Sequence, residues 1–162
     1  MEQPFIRTIS EHQAIIHRVC RMYRDTLEDR EDLFQEIVYQ LWKSFPSFRE
    51  RSRITTWMYR IALSTAMAKY RKRSAAVRTT TLDGIEVATL ATSETHPKQE
   101  LLHRAIATLS DAEKAVITLY LDDYRYEEIA QIIGISTNHV GVKLNRIKQK
   151  LAHQLNPQDH ET

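Results

Sequence analysis

Apolar residues recur at helical spacing along most of this chain, and that pattern limits its fold more than any other feature. The clearest example lies at about residues 29–45, where apolar side chains stand three and four positions apart and Pro46 ends the pattern. They are Leu33, Phe34, Ile37, Val38, Leu41, Trp42 and Phe45. Glycine and proline, which interrupt helices, number three and four in 162 residues. The sequence therefore predicts an all-α protein in which these seven side chains form core.

Two other N-terminal segments show the same periodicity. The first covers about residues 5–23, with candidate core positions at Phe5, Ile9, Ile16, Val19 and Cys20. The second begins near Thr55 and continues into the basic sequence KYRKR at residues 69–73. Its spaced side chains are Trp57, Met58, Ile61, Thr65 and Met67. Three such helices can bury one another, so we expect a first helical domain over residues 1–73.

The segment from residue 74 to residue 97 interrupts the helical pattern. It is rich in Thr, Ser and Ala, its few apolar residues follow no sustained period, and it is longer than most connections within a domain. We interpret it as a flexible linker. Periodicity resumes at about Lys98, and Ser110 followed by Glu113 has the spacing of a capping box. A second small domain of four helices is expected over residues 98–162.

The sequence YEEIAQIIGISTNHVGVKLNRIKQKL, residues 126–151, has the spacing of a helix-turn-helix. Ala130 is small enough for close approach of the two helices, and Gly134 occupies the turn position that tolerates a positive φ. Val140 and Leu144 would point the apolar side of the second helix back onto the first. These offsets indicate a DNA-binding module.

The second helix of this pair carries bases and no acids, and Ser136 can cap its N-terminus. Its outward side chains are Thr137, Asn138, His139, Val142, Lys143, Asn145, Arg146, Lys148 and Lys150. Asn and Arg can make bidentate contacts to base edges in a major groove, whereas Lys suits phosphates. The same pattern also fits an αα-hairpin with an ordinary solvated basic face.

Charge is unevenly distributed, although the net charge is only +2. Residues 25–36 contain six acids against one base, whereas residues 49–73 contain eight bases against Glu50 alone. Two oppositely charged surfaces are therefore expected close together in sequence.

Several classes of function lack support in the sequence. Cys20 is the single cysteine, which excludes an internal disulfide framework, and no long apolar run resembles a signal peptide or membrane span. His17 and Cys20 could share a helical turn, but a zinc site needs about four ligands. No glycine-rich phosphate loop or nucleophile elbow occurs. We expect a cytoplasmic protein that is not an enzyme, with no metal, no cofactor and no membrane insertion.

Two long segments resemble known sequences. EDLFQEIVYQLWKSFPSFRERSRITTWMYRIALSTAMAKYRK, residues 31–72, resembles the second conserved region of bacterial sigma factors. Together with LSDAEKAVITLYLDDYRYEEIAQIIGISTNHVGVKLNRIKQKL, residues 109–151, it makes nearly the whole chain similar to an extracytoplasmic-function (ECF) sigma factor. The resemblance implies two helical domains and a subunit that directs core RNA polymerase to promoters and helps to open the DNA. Catalysis would belong to the polymerase.

The resemblance also implies partners and sites. DLFQE looks like the family's surface for the coiled coil of the largest polymerase subunit, and the flap region is a second expected contact on core polymerase. The implied polymerase-binding residues are Asp32, Leu33, Gln35 and Glu36. Family members often have an anti-sigma factor, which is therefore a further candidate partner.

The loop at residues 48–54 and the helix after it resemble the part that opens the downstream (minus-ten) promoter box and holds an extruded base. Extrusion costs stacking energy, which a pocket and a cationic track would offset. The implied residues are Phe48, Arg49, Arg51, Ser52, Arg53, Ile54, Arg60, Ser64, Lys69, Arg71 and Lys72. Trp57 and Tyr59 could stack on a base, although core packing is the simpler interpretation of Trp57.

The helix-turn-helix would contact the upstream (minus-thirty-five) box. The implied residues are Thr137, Asn138, His139, Val142, Lys143, Asn145 and Arg146. The chain departs from the common family pattern at Leu63, Ser64, Ala68, Gly141 and Val142, which leaves base selection open. Two alternatives remain: a free-standing helix-turn-helix regulator, against which the acidic DLFQE helix argues, and a helical adaptor for RNA or protein, against which the helix-turn-helix argues.

Overall fold

A computed structural model of the chain describes residues 2–79 and 96–156, and for residues 69–79 it describes the backbone. The elements are α1 (Glu2–Tyr23), α2 (Leu27–Ser44), a 3₁₀ turn (Phe45–Ser47), α3 (Ile54–Thr79), α4 (Pro97–Ala107), α5 (Asp111–Leu121), α6 (Tyr126–Ile133) and α7 (Thr137–Leu155). Every regular element in the described ranges is helical, which confirms the all-α prediction. The chain divides into two compact units, residues 1–91 and 92–162.

In the first unit, α1, α2 and α3 each pack against the other two. Thr26 caps α2, because its hydroxyl accepts a hydrogen bond from the Asp29 amide at 3.1 Å. Pro46 stands in the 3₁₀ turn that follows α2. The side chains with no exposed surface include Ile16, Val19, Leu33, Ile37, Leu41, Met58 and Tyr59. The predicted three-helix packing is therefore confirmed.

The predicted core of α2 is only partly correct. Leu33, Ile37 and Leu41 are fully buried, but Phe34, Val38 and Phe45 are half-buried and Trp42 is 40% exposed. The apolar face of α2 is wider than the strip that α1 and α3 cover, so its outer edge remains at the surface. Ile9 on α1 is likewise half-buried.

The ends of the predicted linker are helical. Helix α3 extends through Thr79, six residues beyond the expected domain boundary, and this extension contains the good helix formers Ala75 and Ala76. Pro97 is the first residue of α4, a position that suits its fixed φ. Residues 80–95 of the predicted linker lie outside the described part of the chain, so the domain limits 1–73, 74–97 and 98–162 stay predictions.

The second unit contains the four expected helices. Ser110 and Glu113 form the predicted capping box: the Glu113 amide donates to the Ser110 hydroxyl at 3.3 Å, and the Ser110 amide donates to the Glu113 carboxylate at 2.9 Å. Gly134 ends α6 with φ +83°, as the turn requires. The Ser136 hydroxyl accepts from the His139 amide at 3.2 Å and so caps α7.

Candidate nucleic-acid and protein interfaces

Helix α7 has one buried face and one exposed face. Val140, Leu144, Ile147 and Leu151 are buried, which confirms the inward orientation predicted for the first two. The seven residues expected to contact the upstream box all lie at the surface. Thr137, Asn138, His139, Val142, Asn145 and Arg146 are exposed, and Lys143 is half-buried. The fold therefore presents these side chains, which are polar or basic except for Val142, together over the first three turns of one helix.

Two lysines further along α7 contact α5. The Lys148 Nζ atom lies 3.1 Å from the Tyr120 hydroxyl and 4.4 Å from the centroid of its ring, and this hydrogen bond raises the pKa of Lys148. The Lys150 ammonium pairs with the Glu113 carboxylate. Both cations therefore contact side chains of α5, and the charge of Lys150 is balanced by the nearby Glu113 carboxylate.

Gly141 faces Tyr126 on the first helix of the pair. A Cβ atom at Gly141 would lie 3.6 Å from Cε2 of the Tyr126 ring, an ordinary van der Waals distance. A side chain at this position would therefore point toward α6. The departure from the family pattern at Gly141 bears on packing within the helix-turn-helix, whereas Val142 next to it is exposed.

On α2, the predicted polymerase-binding residues divide into two sets. Asp32 and Gln35 are exposed. Glu36 is half-buried, and its carboxylate accepts a hydrogen bond from Nε2 of the Gln40 side chain at 3.0 Å. Leu33, in contrast, has no exposed surface, because its position in the helical repeat points it into the three-helix core. The surface members of the set are therefore Asp32, Gln35 and Glu36, and a contact between Leu33 and a partner stays a prediction.

An apolar groove of about 450 Å³ adjoins this polar face. Its lining residues are Glu2, Phe5, Ile6, Phe34, Gln35, Val38, Tyr39 and Trp42. Trp42 packs edge-on against Phe5, with ring centroids 4.9 Å apart. Tyr39 is 56% exposed and lies one turn beyond Gln35, so the polar face and the groove form one continuous surface. The sequence prediction of this surface did not include Ile6 or Tyr39 and placed Trp42 in the core, although the four-residue spacing of Tyr39 from Gln35 was a usable signal.

The loop between α2 and α3 forms a polar pocket of about 350 Å³. Its lining residues are Ser47, Phe48, Arg49, Arg51, Ser52 and Trp57. The half-buried Trp57 ring lies 5.0 Å from the Phe48 ring and 6.2 Å from the Phe45 ring, centroid to centroid. Trp57 therefore both packs and lines the pocket, whereas Tyr59 has no exposed surface and cannot stack on a base in this conformation.

The remaining residues expected at the downstream box differ in exposure. Arg53, Arg60 and Ser64 are exposed, Ile54 is half-buried, and the Ser64 hydroxyl donates to the Ile61 carbonyl at 3.0 Å. The side chains of Lys69, Arg71 and Lys72 lie outside the described part, although their backbone is helical. Of the residues that depart from the family pattern, Leu63 is buried and Ala68 is exposed.

Groups with metal or thiol chemistry contribute little to these surfaces. Across residues 2–79 and 96–156, no three His, Cys, Asp or Glu side chains lie together as a metal site would need. Burial raises the pKa of the Cys20 thiol to about 11, against the lowering influence of Arg24, Arg30 and Arg21. Among the described helices, none is long and apolar enough to cross a membrane.

Comparison with known proteins accounts for both units. Residues 8–76 match Sigma-70 region 2, and residues 99–151 match Sigma-70 region 4. The chain is 30% identical to the RNA polymerase sigma factor SigV of Bacillus subtilis, over 95% of this chain and 92% of SigV. It is 31% identical to the sigma factor YlaC of the same organism, over 86% and 84% of the two chains.

Solved structures agree in fold. The sigma factor RpoE of Bartonella quintana, in complex with the anti-sigma factor NepR, superposes with a TM-score of 0.70 at 17% identity, covering 97% of each chain. CnrH, in complex with the cytosolic domain of CnrY, gives a TM-score of 0.69 at 20% identity, over 98% of this chain and 92% of CnrH.

The chain therefore belongs to the sigma-70 family of bacterial RNA polymerase sigma factors, in its extracytoplasmic-function group. Its function is that of a sigma factor, which directs RNA polymerase in the initiation of transcription. Sigma factors are non-catalytic initiation factors.

Proposed function

We propose that three surfaces of this sigma factor divide the work of initiation. The α2 surface binds the coiled coil of the largest polymerase subunit through Asp32, Gln35, Glu36 and the adjoining groove. The loop pocket holds an extruded base of the downstream box. The exposed face of α7 recognises the upstream box. One observation carries the proposal: seven residues lie together on the surface of α7, whose start is fixed by the turn at Gly134 and the cap at Ser136.

The chemistry of each surface supports its assignment. Acidic and amide side chains beside an apolar groove suit a basic, partly apolar protein surface. The loop pocket combines two guanidinium groups with the Phe48 and Trp57 rings, which suits a base attached to a phosphate backbone. Further arginines, Arg53 and Arg60, extend this cationic surface onto α3. Phosphate binding along α3 can continue through Lys69, Arg71 and Lys72.

On α7, the polar residues near the helix N-terminus suit a major groove. Helix-turn-helix proteins place the N-terminal part of the second helix against base edges. Asn145 and Arg146 are the candidates for bidentate contacts to bases, and Asn138 and His139 lie two turns earlier. Lys148 is better placed to touch the DNA backbone, because it lies further along the helix than Asn145 and Arg146.

The proposal includes partners and location. The second unit also contacts the flap region of core polymerase, and the protein acts in the cytoplasm, where polymerase and promoter DNA are. An anti-sigma factor is a further proposed partner, since the structurally similar sigma factor RpoE was solved in complex with the anti-sigma factor NepR. This subunit itself performs no covalent chemistry and needs no cofactor.

Two measurements test the proposal, and both use core polymerase with each full-length variant: binding to core polymerase, and initiation by the assembled holoenzyme. First, Gln35→Ala with Glu36→Lys should reduce co-purification of core polymerase while circular dichroism stays unchanged. Glu11→Lys with Gln13→Ala, the same changes on exposed positions of α1, serves as the matched control. Co-purification at the wild-type level would remove the α2 assignment.

Initiation is then measured on a library randomised in the upstream box. Arg146→Ala should cost about 1–3 kcal/mol on the preferred box and much less on scrambled boxes, because a lost bidentate contact is a loss of discrimination. Lys148→Ala should weaken all sequences alike. A uniform loss for Arg146→Ala, with no base position relaxed, would contradict the placement of α7.

A further inference from the structure

Val142 is an exposed apolar side chain within the polar face of α7. Its side chain is 45% exposed, while the buried face of the helix is already formed by Val140, Leu144 and Ile147. A valine at a solvated helix position is also less favourable for the helix than Lys, Gln or Ala. Packing within the described unit therefore gives no reason for an apolar side chain at this position.

The neighbours of Val142 define what it could contact. Residues three and four positions away on a helix have Cβ atoms about 5–6 Å apart, so Val142 is framed by Asn138 and His139 on one side and by Asn145 and Arg146 on the other. All four of these side chains are exposed. The two methyl groups of Val142 are thus the apolar centre of a frame of hydrogen-bonding groups.

One group on the edge of duplex DNA matches that pattern. In the major groove, thymine presents a C5-methyl group beside its O4 acceptor, and the neighbouring base pairs present further acceptors and donors. No other standard base carries an apolar group at the major-groove edge. We propose that Val142 recognises the C5-methyl group of one thymine in the upstream box, while the framing residues contact adjacent base edges or phosphates.

This inference rests on the proposed placement of α7 in the upstream box, and it adds a specificity-determining residue to that surface. It also gives a chemical meaning to the departure from the family pattern at Val142. A polar side chain at this position would favour a base with a matching donor or acceptor, whereas valine favours a methyl group and disfavours an unpaired polar edge.

The test removes the methyl group and nothing else. Starting from the preferred upstream box of the library experiment, each thymine on either strand is replaced in turn by deoxyuridine, which keeps every donor and acceptor. Initiation is measured with holoenzyme containing the wild-type chain or the variants Val142→Ser and Val142→Ile. Leu101→Ser, at an apolar residue of α4 that is 54% exposed, is the matched control.

For the wild-type chain, one deoxyuridine substitution should lower initiation by about fourfold, the ratio that corresponds to burying one methyl group. Holoenzyme with Val142→Ser should initiate about fourfold less than wild type on the thymine promoter. Replacing that thymine by deoxyuridine should not lower its initiation further. Val142→Ile and Leu101→Ser should keep the wild-type sensitivity. Discrimination at the position affected by Arg146→Ala should persist in Val142→Ser, which shows that the helix remains folded and docked.

Two different failures can be told apart. If the upstream box is selected and Arg146→Ala relaxes it, but no thymine is methyl-sensitive or Val142→Ser keeps the sensitivity, the Val142 inference is overturned alone. If the library yields no preferred upstream box at all, the placement of α7 fails and the Val142 inference fails with it.

Discussion

Two glycines of the helix-turn-helix should respond in opposite directions to the same substitution. Gly141 lies inside α7, where the backbone is helical, and an added Cβ would meet the Tyr126 ring at an ordinary contact distance of 3.6 Å. Because Ala lowers the conformational entropy of the unfolded chain and suits a helix, Gly141→Ala should stabilise the unit by about 0.5–1 kcal/mol. The neighbouring Tyr126 ring need not move.

Gly134 provides the matched control. An added Cβ there would meet nothing within 4 Å, so the substitution creates no clash with neighbours. However, φ at Gly134 is +83°, and an L-residue in the left-handed region costs roughly 1–2 kcal/mol. Gly134→Ala should therefore destabilise the unit by about that amount, although its surroundings are the more open of the two.

Native-state hydrogen exchange in the full-length chain measures this contrast. The slowest amides of α6 and α7 report the opening free energy of the second unit, and amides of α2 provide an internal reference from the first. The two variants should differ by about 2 kcal/mol, which corresponds to roughly a thirtyfold ratio in exchange rate. Equal shifts of the same sign for Gly141→Ala and Gly134→Ala would refute the backbone argument.

Two titratable groups lead to further predictions. Burial opposes ionisation of Glu113, but the hydrogen bonds from Lys150 and the Ser110 amide outweigh it, so the pKa of Glu113 is lowered in the folded state. The ionised Glu113 should therefore stabilise the fold above the ordinary glutamate pKa. That stabilisation should be lost as the pH falls through the pKa of the folded state. Urea unfolding across acidic pH should show that loss, and Glu113→Gln should flatten it; an unchanged pH profile in Glu113→Gln would count against this pairing. Cys20, with its pKa raised to about 11 by burial, should resist a thiol reagent at pH 8 until the first unit unfolds. Rapid labelling of the native protein would contradict its burial.

Much of the local structure follows from residues close in sequence. The capping box of Ser110 and Glu113, the cap at Ser136 and the left-handed turn at Gly134 were predicted correctly, because each depends on backbone groups within four residues. The helical class follows for the same reason, since 3.6-residue periodicity is a local property. The residues implied at the upstream box lie on the exposed face of α7 because their inward neighbours Val140 and Leu144 have the spacing of a buried stripe.

Tertiary structure decided which members of a stripe are covered and which distant groups meet. The apolar positions of α2 alone cannot show that Leu33 is enclosed while Trp42 stays at the surface, because that depends on where α1 and α3 cross the helix. The loop pocket beside Trp57 also could not be predicted from one segment, because loop residues and the first turn of α3 line it together. The pairing of Glu113 with Lys150 joins residues 37 positions apart, and such contacts form only when whole helices pack. Helical periodicity fixes the direction in which each side chain leaves the helix axis, but the position of the neighbouring helix determines what that side chain touches.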